Sequence, residues 1–181
     1  MSRRKHEITK RRLLVGLGLM VILTVPAVTL ADNRTCEFNG SWYGHLPTFQ
    51  LDFVGTAHGV DSSAGTYSLE IPGLNLALFG FPDAVKLSTF RGTWERIDRR
   101  SVAFTVVAYA VDSFGQTVVI GKISGIDTFT EDCGSITIKN TTELFGPGQD
   151  PFGGEMPDYS YFRGQDHSAS RMRVDPPAEP L

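Results

Sequence analysis

The sequence is poor in the groups that build catalytic or metal centres. Two cysteines and four histidines are spread over 181 residues. No Gly-x-Ser-x-Gly elbow, H-x-H or H-E-x-x-H pattern occurs, which removes the usual serine-nucleophile and zinc-protease signatures. Gly153-Gly154 lies in a proline-rich stretch with no helix after it, so a phosphate-cradling loop is absent too. No window has a sustained helical period. The longest apolar run, 13–25, covers 13 residues before Pro26, short of the roughly 20 needed to span a bilayer.

That run has a different reading. Arg3, Arg4, Lys5, Lys10, Arg11 and Arg12 precede it, and Thr29-Leu-Ala31 supplies small residues after it. Basic, apolar and small-residue parts in this order make an export signal over 1–31, cleaved after Ala31, with an uncleaved anchor as the alternative. The leader takes six of the 17 basic residues and one of the 20 acidic ones, leaving 11 against 19, a net charge of −8 for residues 32–181. Such a surface repels phosphate backbones, so nucleic acid is not the expected partner. The expected location is periplasmic or extracellular, with no stable membrane insertion once the leader is removed. There, Cys36 and Cys133 pair by default. A bridge closing nearly a hundred residues stabilises the fold by about 4–5 kcal/mol in the chain-entropy estimate.

What the chain does have is alternation. Phe49-Gln-Leu-Asp-Phe53, Thr66-Tyr-Ser-Leu-Glu-Ile71 and Cys133-Gly-Ser-Ile-Thr-Ile-Lys139 place apolar residues at every second position, the mark of half-buried antiparallel strands. Residues 101–111 (SVAFTVVAYAV) are apolar on both faces. Residues 117–129 follow after a hairpin turn, Asp112-Ser-Phe-Gly-Gln116. Gly121 and Gly125 in that stretch are expected to mark bulges or a bend. Eight strands are predicted, at 40–46, 49–60, 65–71, 85–97, 101–111, 117–129, 133–144 and 167–174. Residues 74–81 have room for a helix of one or two turns. A meander of eight strands with no crossover helix predicts one closed antiparallel barrel over 32–174, with a two-sheet sandwich as the alternative.

Residues 145–165 depart from the strand pattern, combining Gly and Pro with Phe152, Tyr159, Tyr161 and Phe162. A loop of this length is expected to serve a purpose, as an aromatic lid or plug at one barrel mouth. Residues 175–181 read as a solvated tail.

The candidate chemistry is thin. His45 and His58 could meet across a hairpin and, with Asp52 or Glu70, hold zinc, but scattered strand histidines are usually exposed polar positions, so no metal is expected. Asp61-Ser-Ser-Ala-Gly65 lacks the further acids of a calcium loop and reads as a turn. Asn33, Asn39 and Asn140 lie in glycosylation sequons, relevant only to a eukaryotic host. Glu95 and Asp127 lie in strands, where a buried carboxyl would support proton transfer. The broken alternation around them leaves their direction open.

Two similar pentads, Phe38-Asn-Gly-Ser-Trp42 and Phe90-Arg-Gly-Thr-Trp94, offer Gly40, Trp42, Gly92 and Trp94 as barrel-closing residues. Asn39-Gly-Ser-Trp-Tyr43 resembles the opening motif of lipocalin-type barrels. The resemblance implies that Trp42 closes the base against an arginine of the last strand, Arg171 or Arg173. Gly92-Thr-Trp-Glu-Arg96, Phe104-Thr-Val-Val-Ala-Tyr109, Asp112-Ser-Phe-Gly115 and Gly121-Lys-Ile-Ser-Gly125 resemble a group of exported bacterial β-proteins related to lipocalin-like and allene oxide cyclase-like barrels. That likeness, over about 38–174, implies a fold and brings no catalytic residues. The leading expectation is an exported, non-enzymatic protein without a cofactor that binds a small apolar ligand in the barrel mouth. A filled structural or protein-binding module and a cyclase- or isomerase-like enzyme are the alternatives. Oligomeric state and ligand identity are not encoded in any recognisable pattern.

Overall fold

A computed structural model describes residues 34–47 and 49–173, without the side chains of 161–166. The expected leader (1–31) and tail (175–181) lie outside the described residues. The strands are β1 (Gly40–Leu46), β2 (Leu51–His58), β3 (Ala64–Glu70), β4 (Lys86–Leu87), β5 (Phe90–Arg96), β6 (Ser101–Val111), β7 (Thr117–Phe129), β8 (Ser135–Phe145) and β9 (Tyr159–Arg171). All pairings are antiparallel. The ring runs β1-β2-β3-β5-β6-β7-β8-β9 and closes where Trp42 of β1 faces Arg171 of β9. This is a closed eight-stranded barrel, and closure leaves those eight strands without a free edge.

Three elements depart from expectation. The 85–97 strand is broken into β4 and β5 at Ser88-Thr89, yet Ser88 still exchanges main-chain and hydroxyl hydrogen bonds with Tyr109 of β6. Gly121 and Gly125 are not bulges, because β7 keeps continuous register with β8 through both positions. The irregularities fall instead between Ala110 and Val111 and between Ile138 and Asn140. Finally, β9 starts at Tyr159, so the loop spans only 146–158. Strand β8 is long enough to pair with 159–163, as in Leu144 opposite Tyr159, and that pairing overrides the loop-like composition.

One end of the barrel is packed solid. An arm at 34–39 runs under it and inserts Phe38, which is fully buried. The Phe38 ring lies 5.9 Å from Trp42, 5.2 Å from Trp94 and 6.1 Å from Phe129. Trp42 Nε1 donates to Phe38 O at 3.0 Å, and the Arg171 guanidinium lies 4.7 Å from the Trp42 ring. Arg171 also donates to Asn39 O at 3.1 Å and to Glu37 O. The Cys36–Cys133 disulfide, Cα–Cα 5.4 Å, joins the arm to the β7–β8 turn. Arg96 Nη2 donates to Cys36 O at 2.7 Å.

The two pentads therefore share a Trp that touches Phe38, but their other residues differ. Gly40 has φ +128°, a conformation that favours glycine, whereas a Cβ on Gly92 would lie 1.9 Å from Thr105 O. Phe38 plugs the base, while Phe90 sits further up the barrel. The resemblance between the pentads is local, and only the tryptophans do the same job.

Candidate functional site

The other half of the barrel is hollow. Alternation turns Phe53, Tyr67, Leu69, Phe90, Phe104, Ile123, Ile138 and Leu144 inward, around a cavity also bounded by Gly121. The cavity volume is about 90 Å³. This is space for several waters or one small molecule. Its wall is mainly apolar, with Asn140, Thr142, Tyr159 and His167 as the other polar contributors beside Tyr67.

The lack of a side chain at Gly121 contributes directly to this space. Gly121 faces inward, and its nearest neighbours across the gap are Phe90 and Leu144. Elsewhere inward glycines receive their neighbours' rings. The Tyr67 hydroxyl lies over Gly55, where a Cβ would be 2.3 Å from the oxygen, and the Phe53 ring fills the same kind of space at Gly44.

The segment between β3 and β4 crosses the mouth. It forms a 3-10 helix, Leu76–Phe79, started by the Asn75 side chain accepting from Ala77 N at 3.0 Å and ended by Gly80 at φ +90°. Leu74, Leu76 and Phe79 reach the cavity. Phe79 is 5.5 Å from Phe49 and 6.0 Å from Tyr159, edge to face in both cases. These three rings line the entrance. The sequence reading missed Phe49 and Phe79, although the apolar 74–81 stretch between Pro72-Gly73 and Gly80 was the available signal.

Of the four residues assigned to a lid, Tyr159 lines the cavity. Tyr161 and Phe162 belong to β9, and their side chains lie outside the described residues. Phe152 is displaced from its expected place. Its ring lies 5.7 Å from the Lys122 ammonium, which also sits 5.5 Å from Phe145, donates to Pro151 O at 2.9 Å and pairs with Glu143 at 2.7 Å. Lys122 alternates with the inward Gly121 and Ile123, so the 146–158 loop packs on the outer wall there and buries Phe145. It is a strap beside the mouth, and the aromatic entrance is built by other segments.

The titratable candidates separate in the same way. His45 Nδ1 meets Asp52 Oδ1 at 2.9 Å on the exposed surface. That bond and one from Tyr43 hold the Asp52 carboxyl below its usual range. His58 pairs with Thr66 at the opposite end of β2, so the two histidines do not meet. Among the described residues no group of three His, Cys, Asp or Glu side chains could hold a metal ion. Asp61 forms a turn with Ser63.

Glu95 is exposed, whereas Asp127 is fully buried, and neither of its carboxylate oxygens has a hydrogen-bond partner. Burial pushes its carboxyl well above the usual carboxylate range. Burial, reinforced by the nearby Asp127, also pushes the Tyr67 hydroxyl up. Asp127 does not line the cavity. It occupies the layer between the solid base and the cavity floor, one inward step from Phe129.

No family model, curated protein or solved structure matches the chain. The arrangement itself is what a functional reading must use: one apolar hollow, one aromatic entrance, one sealed base. No described helix is long and apolar enough to cross a membrane.

Proposed function

We propose that this protein is an exported, non-enzymatic carrier that holds one small apolar molecule in the mouth half of its barrel. The observation that carries this reading is the cavity itself. Eight-stranded barrels can fill their interior with side chains or leave room for one ligand. Here the same barrel does the first at the Trp42–Trp94 end and the second around Gly121. Leaving apolar walls uncovered forfeits packing, so a hollow of this kind is costly unless it is occupied.

Export is supported by the 1–31 leader pattern and by the disulfide, which suits an oxidising compartment. The Trp42–Arg171 pair supports the lipocalin-like reading of the first strand. The enzyme alternative gains least, because the one strongly perturbed acid is sealed beneath the cavity floor. Native mass spectrometry of the protein purified from its own source tests the carrier reading. A co-purifying small molecule, released on unfolding, supports it. A consistently empty chain that binds no apolar probe favours the structural-module alternative.

A further inference from the structure

The carrier reading gives the ligand an apolar body without saying whether a charged group is attached to it, and three features bear on that. First, seven of the residues lining the cavity are aromatic, among them Phe53, Tyr67, Phe90 and Phe104. Ring faces carry negative quadrupolar charge and attract cations, most strongly where water is excluded. Second, the described connections at the mouth carry Asp83, Asp112, Asp150, Glu155 and Asp158, while the basic residues beside them are Lys86 of β4 and Lys122 of β7, the latter paired with Glu143. A cleft whose rim carries one sign of charge concentrates ligands of the other sign. The connections at the closed end are mixed, with Arg99, Arg100 and Arg173 among acids. Third, Asp127 sits under the floor with both carboxylate oxygens unpartnered, and a buried acid without a partner calls for an explanation.

Resting on the carrier reading, we propose that the ligand is a compact organic cation, an ammonium group on a small apolar body, held against the aromatic floor with Asp127 beyond it as countercharge. Among the described residues, Tyr67 from β3 lies near enough to Asp127 to have its hydroxyl raised by it, and His167 from β9 shares its register row beyond Ile138. The partners of Asp127 on β6 and β8, Val102 and Ile138, are apolar. Arg171 lies on the far side of the base, against Trp42. Burial disfavours the ionised form of the Asp127 carboxyl and holds its pKa well above the usual carboxylate range. A cation entering the floor favours ionisation, so any proton held on the carboxyl is lost to bulk solvent as the ammonium arrives, and the O–H electron pair stays on the carboxylate.

The test compares benzyltrimethylammonium with neopentylbenzene, its uncharged isostere, by calorimetry on the mature protein. The cation is expected to bind at least about tenfold tighter, with release of a proton and with affinity rising as pH rises. Asp127→Asn should abolish proton release and most of the preference. Phe90→Leu, which leaves Asp127 in place, should weaken the cation more than the isostere, and it keeps the test usable if the Asn variant does not fold. If the isostere binds as well as the cation, the proposal is overturned and the apolar-carrier reading stands. If neither binds, both are overturned. A cation preference that survives Asp127→Asn unchanged overturns the countercharge role.

Discussion

Replacing Gly121 by leucine converts the hollow half of the barrel into a filled one, and the sign of the stability change decides whether the hollow exists. A Cβ at this position would lie 3.4 Å from Phe90 Cε1 and 3.6 Å from Leu144 Cδ2, ordinary contact distances, and Gly121 has no positive φ to forbid a side chain. Gly121→Ala should therefore be accommodated and stabilise the fold by about 0.4–1 kcal/mol, through the lower entropy of the unfolded chain. Leucine adds three more carbons pointing into the cavity. Burying that side chain is worth about 1.5–3 kcal/mol, offset by about 0.5–1 kcal/mol of lost rotamer freedom. With the backbone effect included, Gly121→Leu should gain about 1–3 kcal/mol. Urea unfolding monitored by Trp42 and Trp94 fluorescence measures this, with the alanine variant as control. A filled interior gives the opposite result, because overpacking costs about 1–3 kcal/mol. A leucine variant less stable than the alanine variant refutes the cavity. The leucine variant should also lose affinity for any small apolar probe that the wild type binds.

Three further outcomes are expected. Cys36→Ser with Cys133→Ser removes a bridge spanning a sequence separation of 97, and should cost up to about 4–5 kcal/mol by denaturant titration. A loss below about 1 kcal/mol would show that the arm stays in place without it. The raised carboxyl of Asp127 makes its contribution to stability greatest below its unfolded value near 3.8, and that contribution is lost as pH rises through the folded value. Asp52, Asp61, Asp98 and Asp132 are lowered and act in the opposite sense, losing stability as pH falls. The wild type minus Asp127→Asn difference isolates the first effect: it should decline by at most about 1.4 kcal/mol per pH unit above pH 4, and a flat difference contradicts it. Lys122→Met should raise hydrogen exchange across 146–158 while the strands keep their protection, since Lys122 holds that loop to the wall. Unchanged exchange there would contradict the strap.

The fold was legible because alternation and turns agree. Strands 40–46, 101–111 and 117–129 match the structure residue for residue, and Asp112 and Gly115 form the expected hairpin turn. The first half of β9 was not legible. Residues 159–166 mix Gly, charge and aromatics, and only the facing length of β8 makes them a strand.

The direction of Asp127 was hidden for a related reason. The inward series of β7 is Val119, Gly121, Ile123, Gly125, Asp127 and Phe129. Two of those six positions are glycine, so the parity of the strand is masked. The same glycines hid the site: at Gly125 a Cβ would meet Lys139 O at 2.4 Å, whereas at Gly121 the missing side chain leaves space. Sequence cannot distinguish a glycine that admits backbone from one that admits a ligand.

The central claim, a barrel solid at one end and hollow at the other, is tested most directly with xenon. Xenon enters empty apolar cavities and scatters strongly. Crystals of the protein under xenon pressure should show a bound atom among Phe53, Phe90, Gly121 and Leu144, and none among Phe38, Trp42, Trp94 and Phe129. The same crystals of Gly121→Leu should show none at either end. Absence of xenon from the wild-type mouth half, or xenon at the base, would contradict the account.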